Sequence, residues 1–299
     1  MTPTDARVSA NGIEIAYQSF GDPADPPMVM VMGLGAQMIA WPDELCQDLA
    51  DCGHFVIRFD NRDVGESTHL QDAPTPDPMM LLLGRKSIPY RIEDMADDTI
   101  GLIEALGFDE VDLVGVSLGG FISQTVAIRA PQRVRTLALM MTSTGSPLVG
   151  HPKPRLIANV FRRSPKPDRD QAIDSAVAAL RAISSPAYPF EPDYIRDIAL
   201  RSYDRSYDPA GYMRQFAAVR FQSNRTRALS DLTMPTLVMH GLADPLIAVS
   251  GGVAVARAVP RARFLGFHGM GHDLPRALWQ DYANAIDTLT RSRVASAAG

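Results

Sequence analysis

The chain has 299 residues, 46% of them hydrophobic, which is enough to bury a substantial core in one large domain or two small ones. Its 29 Lys and Arg against 34 Asp and Glu give a formal net charge of -5, so no overall positive field would attract nucleic acid or an anionic membrane. No apolar run approaches the roughly 18 residues that span a bilayer, and the first residues lack a secretory signal. We therefore expect a cytoplasmic protein that does not bind nucleic acid and has no membrane-spanning segment. The oligomeric state stays open, a homodimer included.

Short apolar runs recur along the chain and predict the strands of a sheet. The alternating stretch at residues 13–18 is typical of a strand near a sheet edge with one solvated face. The run at residues 28–32 is apolar on both faces, as central parallel strands are. Similar short runs follow at residues 54–59, 111–114, 134–141, 236–239 and 262–267.

The chain has two cysteines, one just before and one just after the end of the first predicted helix. Cys46 and Cys52 have no paired histidines nearby, a pattern that suits neither a zinc site nor a disulfide framework. We expect two reduced structural thiols and no bound metal.

Amphipathic stretches between the runs predict helices. They lie at residues 37–50, 91–106, 118–130, 246–258 and 275–291. Strand and helix in repeated alternation indicate an α/β fold, in which helices cover both faces of a mostly parallel central sheet.

The alternation stops once, between residues 142 and 228. Helical patterns at 172–183 and 195–203 replace strands there. We interpret residues 142–228, here named the cap segment, as a helical cap inserted into a core formed by residues 1–141 and 229–299.

The cap segment differs from the core in charge. Residues 151–227 hold 14 Lys and Arg against 8 Asp and Glu, although the whole chain is acidic. Either a basic cap docks on an acidic core, or the entrance to a site favours anionic or polar-conjugated substrates.

A lone serine lies between glycines at the end of a predicted strand. Gly115-Val116-Ser117-Leu118-Gly119 fits the pattern G-x-S-x-G, with the strand before it and a helix after it that the pattern requires. Such a turn lifts the hydroxyl above the carboxyl edge of the sheet, beside free N–H groups at the start of the helix. We predict that Ser117 is a nucleophile rather than a structural serine in a glycine-rich turn.

A serine hydroxyl needs a base, and the base needs an orienting acid. His268 and His272 both follow the last predicted strand, and His272 lies in a loop after Gly271 that can reach Ser117. We predict His272 as the base and keep His268 as the alternative.

The acid is expected on a loop after a late strand. Asp244 lies on the turn after residues 236–239, whereas Asp273 directly follows His272 and would point away from its ring. We predict Asp244 as the acid and interpret Asp273 as a charge at the start of the last helix.

Negative charge on a substrate oxygen needs two backbone donors. Leu118 follows the nucleophile directly, and Leu34 lies between Gly33 and Gly35 in the loop after residues 28–32. We predict their N–H groups as an oxyanion hole, although an ordinary strand-ending turn would also explain the glycines.

These motifs resemble those of the α/β-hydrolase superfamily over nearly all of residues 8–295. The order Ser117, Asp244, His272 is that of the family, and the stretch D-N-R-D-V-G-E-S from Asp60 resembles the family's D-x-R-G-x-G-x-S turn. Asp63 stands where that turn usually has glycine.

A second departure narrows the resemblance. Met32-Gly33 replaces the common His-Gly at the start of the oxyanion loop. With these two departures the sequence resembles the branch of the family that includes aclacinomycin methylesterase and related bacterial esterases and lipases. Serine at position 117 argues against relatives that use a carboxylate nucleophile, such as haloalkane dehalogenases.

The resemblance implies an esterase that needs no cofactor. Its expected partner is a small-molecule substrate, a moderately large apolar ester such as a methyl ester. The same triad could also serve a C–C bond hydrolase, a lactonase or a perhydrolase, and a ligand-binding protein on this fold is the non-enzymatic alternative. Met79, Met80 and Met141 are predicted to line the pocket. Residues 79–83 could instead form a lid or a buried helical turn.

Overall fold

The computed structural model describes residues 4–84, 88–154, 156 and 168–297. Within them, eight strands form a single sheet. In chain order these are β1 (Thr4–Ala10), β2 (Ile13–Phe20), β3 (Pro27–Val31), β4 (Phe55–Phe59), β5 (Val111–Val116), β6 (Val134–Met140), β7 (Thr236–Gly241) and β8 (Arg263–Phe267).

The strand order across the sheet is β1-β2-β4-β3-β5-β6-β7-β8. β2 pairs antiparallel with both β1 and β4, and every later pairing is parallel. The predicted α/β fold with a mostly parallel sheet is therefore confirmed. Since the parallel strands share one direction, the loops after β3, β5, β7 and β8 meet at one edge, which is where an active site forms on such sheets.

The hairpin at the sheet edge differs from the sequence-based expectation. β1 is absent from the predicted strands, yet the Asn11-Gly12 turn, with both residues at positive φ, joins it to β2. The prediction of a solvated face on β2 holds only at Glu14, which is exposed, because Ala16 and Gln18 on the same face are buried. Gln18 accepts hydrogen bonds from the buried Arg58, which satisfies its amide inside the fold.

Nine α-helices lie in the described residues. They are α1 (Asp43–Asp51), α2 (Pro78–Leu82), α3 (Ile92–Ala105), α4 (Leu118–Arg129), α5 (Arg169–Ile183), α6 (Pro192–Arg205), α7 (Pro209–Arg220), α8 (Ser250–Ala258) and α9 (Trp279–Ala297). None of these helices combines the length and the apolar character needed to cross a membrane.

Three helices start later than predicted, for local reasons. The predicted helix 37–50 divides into a 3-10 turn at Met38–Ala40 and α1, because Pro42 keeps the preceding Trp41 in an extended conformation, which the helix cannot include. A 3-10 turn at Arg276–Leu278 likewise precedes α9, and α8 begins only at Ser250.

The core consists of two apolar clusters, one on each face of the sheet. Val29 and Val31 of β3 belong to one cluster, whereas Met28 and Met30 belong to the other. This division follows from strand geometry, since successive side chains point to opposite faces. Both faces are buried, as the doubly apolar run at residues 28–32 predicted.

Helices α5, α6 and α7 all lie between β6 and β7 in the chain, within the cap segment. Their sequence position agrees with the predicted insertion, although α7 was not among the predicted helices. The division into core and cap stays a prediction. The contacts below show where the cap segment meets the loops at the carboxyl edge of the sheet.

Candidate active site

Ser117 forms a sharp turn between β5 and α4. Its backbone has φ 55 and ψ -116, a left-handed conformation that costs a residue with a side chain of order 1–3 kcal/mol. Its N–H donates to the carbonyl of Met140 at 2.9 Å. Strain held by neighbouring hydrogen bonds is a feature of functional sites, and here it presents the hydroxyl at the carboxyl edge of the sheet.

The glycines on either side of Ser117 are required by close backbone approaches. A Cβ on Gly115 would lie 2.4 Å from the carbonyl oxygen of Gly119. A Cβ on Gly119 would lie 2.0 Å from the carbonyl oxygen of Val31 in β3. The turn therefore packs too tightly for any side chain at either position, which is the physical content of the G-x-S-x-G pattern.

The structure brings His272 between Ser117 and Asp244. Its Nε2 lies 2.9 Å from Ser117 Oγ, and its Nδ1 lies 2.7 Å from Asp244 Oδ2. Because a carboxylate can only accept, Nδ1 carries the proton and Nε2 is free to accept from the serine hydroxyl. His268, the alternative base, is exposed.

Asp244 is held by the chain that follows it. Its Oδ1 accepts from the N–H groups of Leu246 and Ile247, each at 2.8 Å, and the residue is 5% exposed. These two bonds fix the carboxylate so that Oδ2 faces His272. The arrangement has the order and geometry of a nucleophile, base and orienting acid.

A second histidine approaches the same carboxylate. His240 Nε2 lies 2.8 Å from the carbonyl oxygen of Ile247 and 3.5 Å from Asp244 Oδ2, so this nitrogen carries the proton. Burial lowers the pKa of His240, which favours a neutral ring beside the acid. No local pattern pairs His240 with Asp244, because the contact depends on how the turn after β7 folds back.

Asp273 does not serve as a charge at a helix start. It precedes α9 by six positions and accepts a hydrogen bond from Ser185 Oγ in the cap segment. Burial raises the pKa of Asp273 more than the hydrogen bonds from Ser185 lower it. Ser185 Oγ in turn accepts from Gly271 N–H at 2.8 Å, and His272 N–H donates to the carbonyl of Ile183 at 2.8 Å. The cap segment thus holds both flanks of the His272 loop.

The loop after β3 passes beside the nucleophile. A Cβ on Gly33 would lie 3.4 Å from Ser117 Cβ, and Leu34 is partly buried against the core. Leu118 begins α4 directly after Ser117, where helix N–H groups have no partner within the helix. Both predicted donors are therefore next to the serine, and their role as an oxyanion hole stays a prediction.

A glutamine of α7 joins this loop to the turn after β4, and the sequence analysis did not include it. Gly35 N–H donates to Gln215 Oε1 at 2.8 Å, and Gln215 Nε2 donates to the carbonyl of Arg62 at 2.8 Å. The three residues are distant in the sequence, so no local pattern could have identified the contact.

The neighbouring residue of α7 pairs with the unusual aspartate of the same turn. Arg214 donates to Asp63 Oδ2 at 2.8 Å and Oδ1 at 2.7 Å, and both side chains are buried. Asp63 has φ 68, the left-handed region where glycine carries no penalty. The aspartate that replaces the family's glycine at position 63 thus forms a bidentate ion pair with Arg214 of the cap segment.

Asp63, His69 and Asp208 form the one cluster of potential metal ligands in the parts of the chain that are described, with ligand atoms within 4.8 Å of one another. Arg214 Nη2 lies between the two carboxylates, 2.7 Å from Asp63 Oδ1 and 3.2 Å from Asp208 Oδ2. The guanidinium supplies the positive charge there, so the cluster is an ion-pair network.

The predicted pocket residues differ in their environments. Met79 and Met80 lie on α2 and are 55% and 41% exposed. Met141 is buried in the second core cluster, with φ 48. That the three line one pocket stays a prediction.

Comparison with known proteins identifies the family. A family model described as the alpha/beta hydrolase fold matches residues 26–275. Rhodomycin D methylesterase DauP of Streptomyces sp. (strain C5) is 27% identical over 95% of this chain and 97% of its own length. The 2-hydroxymuconate semialdehyde hydrolase of Pseudomonas sp. (strain CF600) is 28% identical over 82% of this chain and 80% of its own length.

Solved structures agree on the fold. The enol-lactonase from Burkholderia xenovorans LB400 superposes with a TM-score of 0.69 and 21% identity, covering 97% of this chain and 100% of that one. The methylesterase relative agrees with the branch that the sequence resembles. With a matching family model, this sheet and a serine at the turn after β5, the chain belongs to the α/β-hydrolase family.

Proposed function

We propose that this protein is a carboxylic-ester hydrolase in which Ser117, His272 and Asp244 act as nucleophile, general base and orienting acid. The observation that carries the proposal is the pair of hydrogen bonds of His272, at 2.9 Å to Ser117 Oγ and 2.7 Å to Asp244 Oδ2. A hydroxyl, an imidazole and a carboxylate in this order form the acyl-transfer machinery of serine hydrolases.

The reaction divides into acylation and deacylation. As Ser117 Oγ attacks the ester carbonyl, His272 Nε2 takes the hydroxyl proton and Asp244 stabilises the resulting imidazolium. The N–H groups of Leu34 and Leu118 hold the oxyanion until the C–O bond breaks, and His272 returns the proton to the leaving alcohol. Water, deprotonated by His272, then attacks the acyl-enzyme, and His272 returns that proton to Ser117 Oγ as the ester bond breaks and the acid is released.

The proposed substrate is a moderately large apolar ester, with a methyl ester of a bulky aromatic acid as the leading example. Two considerations support it: the cap segment contacts both loops that flank Ser117, which favours an enclosed site, and the relatives include methylesterases. A site enclosed in this way should act poorly on long-chain triglyceride emulsions. Rates on one short ester below and above its solubility limit test this, since a sharp rise above the limit would indicate interfacial activation and a lid at residues 79–83.

The alternative with specific support is the same triad acting on a C–C bond or a lactone. The relatives include a semialdehyde hydrolase, and the fold is shared with an enol-lactonase. Mass spectrometry of the products separates these reactions, because only ester hydrolysis releases an alcohol and an acid as separate molecules. A panel that varies the acyl and alcohol parts separately would define the ester.

The deciding experiment removes the nucleophile. Ser117→Ala should fold normally and lose at least roughly three orders of magnitude in kcat, because only binding and the oxyanion donors would remain. A fluorophosphonate should label the wild type once per chain, at Ser117. Labelling of a different serine, or more than about a tenth of the wild-type rate in Ser117→Ala, would contradict the assignment.

A further inference from the structure

We propose that Gln215, on α7 of the cap segment, is a positioning residue for the oxyanion loop Gly33-Leu34-Gly35. The proposal rests on the esterase function proposed above, since it concerns how the Leu34 donor is held. Asn61 Nδ2 holds the start of this loop by donating to the Met32 carbonyl at 3.1 Å, and Gln215 holds its end through Gly35 N–H.

Both ends of the Gln215 side chain are committed. Its Oε1 accepts from Gly35 N–H and its Nε2 donates to the Arg62 carbonyl, each at 2.8 Å, and the residue is fully buried. One partner is a donor and the other an acceptor, so the amide has only one orientation that satisfies both. The side chain therefore fixes the distance between the loop after β3 and the turn after β4.

The contact determines where the Leu34 N–H points. Ala36 N–H donates to the Gly33 carbonyl at 3.3 Å, which engages one side of the peptide unit that joins Gly33 to Leu34. In a trans peptide the N–H points opposite to the C=O, so the Leu34 N–H faces away from this turn. Gln215 fixes the next peptide unit through Gly35 N–H, and together the two bonds restrict rotation on both sides of Leu34.

The helix that carries Gln215 is itself fixed against the core. Tyr212, three residues earlier on the same face of α7, packs so closely on Gly35 that a Cβ there would lie 2.4 Å from its ring. A Cβ on Gly211 would lie 2.2 Å from the carbonyl oxygen of Asp63, and Arg214 pairs with the Asp63 carboxylate. Because these contacts fix α7 against the core, Gln215 holds the oxyanion loop at a fixed position relative to the helix.

Gln37 provides a matched control for cap docking alone. It is also a buried glutamine at the boundary with the cap segment, and its Nε2 donates to the carbonyls of Ser202 at 2.7 Å and Ser206 at 2.9 Å. It makes no side-chain bond to the Gly33–Gly35 backbone among the described contacts. Its Oε1 also accepts from Arg205 of the cap segment at 2.5 Å. Gln37→Met therefore removes core–cap hydrogen bonds of a glutamine side chain without removing any bond to the Gly33–Gly35 backbone.

The first experiment compares Gln215→Met with Gln37→Met on one soluble ester. In Gln215→Met, kcat should fall by about 10- to 100-fold while KM stays near that of the wild type. The reason is that a misplaced Leu34 N–H weakens binding of the oxyanion in the transition state more than binding of the substrate in the ground state. Affinity for phenylboronic acid, which forms a tetrahedral adduct on the serine, should fall by a similar factor. Gln37→Met should leave both quantities within about twofold.

The second experiment uses Gln215→Glu, which retains the shape of the side chain. A neutral carboxyl can still accept from Gly35 N–H and donate to the Arg62 carbonyl, whereas a carboxylate repels that carbonyl. Its kcat should therefore fall as the pH rises through the pKa of the introduced carboxyl, a limb that the wild type lacks. The charged pairs nearby are common to both proteins, so the new limb reports the introduced group; they are Asp63 with Arg214, His69 with Asp208 and Arg62 with Asp98.

The outcomes separate the two proposals. A wild-type kcat in Gln215→Met, an equal loss in Gln37→Met, or an unchanged pH profile in Gln215→Glu would overturn the role of Gln215. If Gln215→Met does not fold, as judged by circular dichroism, the pH profile of Gln215→Glu decides. Failure of the esterase proposal has a different signature, namely a wild type whose turnover does not depend on Ser117 and which fluorophosphonate does not label there.

Discussion

Replacing Asp63 by glycine has two opposite effects on the free energy of unfolding, and the size of each can be estimated from the structure. The change relieves a non-glycine residue at φ 68, which is worth about 1 kcal/mol. It also removes the bidentate partner of the buried Arg214, and breaking a buried pair from one side costs about 3–5 kcal/mol. Arg214 keeps Asp208 at 3.2 Å, so the lower end of that range applies. We expect Asp63→Gly to destabilise the protein by about 2 kcal/mol.

Thermal unfolding at neutral pH measures this difference. For a protein of this size the expected loss corresponds to a decrease in Tm of about 3 °C. The double variant Asp63→Gly with Arg214→Met should recover most of the loss, because replacing both members of a buried pair by groups that need no partner is often neutral. Asp63→Asn is the control for charge alone, since asparagine also tolerates left-handed φ. A Tm for Asp63→Gly at or above the wild-type value would refute the reasoning, because strain would then outweigh the ion pair.

Further predictions concern the active site and the pH dependence of stability. His272→Ala should lose kcat about as severely as Ser117→Ala, whereas the exposed His268→Ala should stay near the wild type; esterase rates of the two variants decide, and the reverse result would make His268 the base. Gly119→Ala should lower the rate by at least about 100-fold, because its Cβ would lie 2.0 Å from a β3 carbonyl and displace the serine; a wild-type rate with a wild-type Tm would contradict the close approach. Burial lowers the pKa of His69, but its hydrogen bonds to the Gly65 carbonyl and to Asp208 outweigh burial and raise the pKa overall. Stability from its charged form is therefore fully present below the unfolded value of about 6.5 and is lost as the pH rises through the folded pKa. Tm measured against pH should show this decline in the wild type and not in His69→Gln.

The sequence predicted those parts of the molecule that depend on local chemistry. The pattern around Ser117 required glycines at fixed positions, and the structure explains both by backbone approaches under 2.5 Å. The loop positions of Asp244 and His272 followed from their places after late strands, and the structure places His272 against Ser117 and Asp244 against His272.

The features that were missed depend on contacts between distant residues or on signals that were not used. Helix α7 has little apolar periodicity, yet Asp208-Pro209 marks its start, since Asp208 caps the Ala210 N–H and Pro209 occupies the first turn. The Asn11-Gly12 dipeptide was a comparable signal for the β1–β2 hairpin. By contrast, no sequence pattern pairs Gln215 with Gly35, because the contact exists only after the cap segment folds over the core.

The dual attachment of the cap segment constrains how this enzyme family can be recombined. One part, at Ile183 and Ser185, binds the His272 loop, and another, at Gln215, binds the loop at Gly35. A chimera that takes residues 142–228 from a relative would lose both attachments at once. Grafts that retain these three residues, and exchange the surface between them, are therefore the ones that can change specificity while preserving turnover.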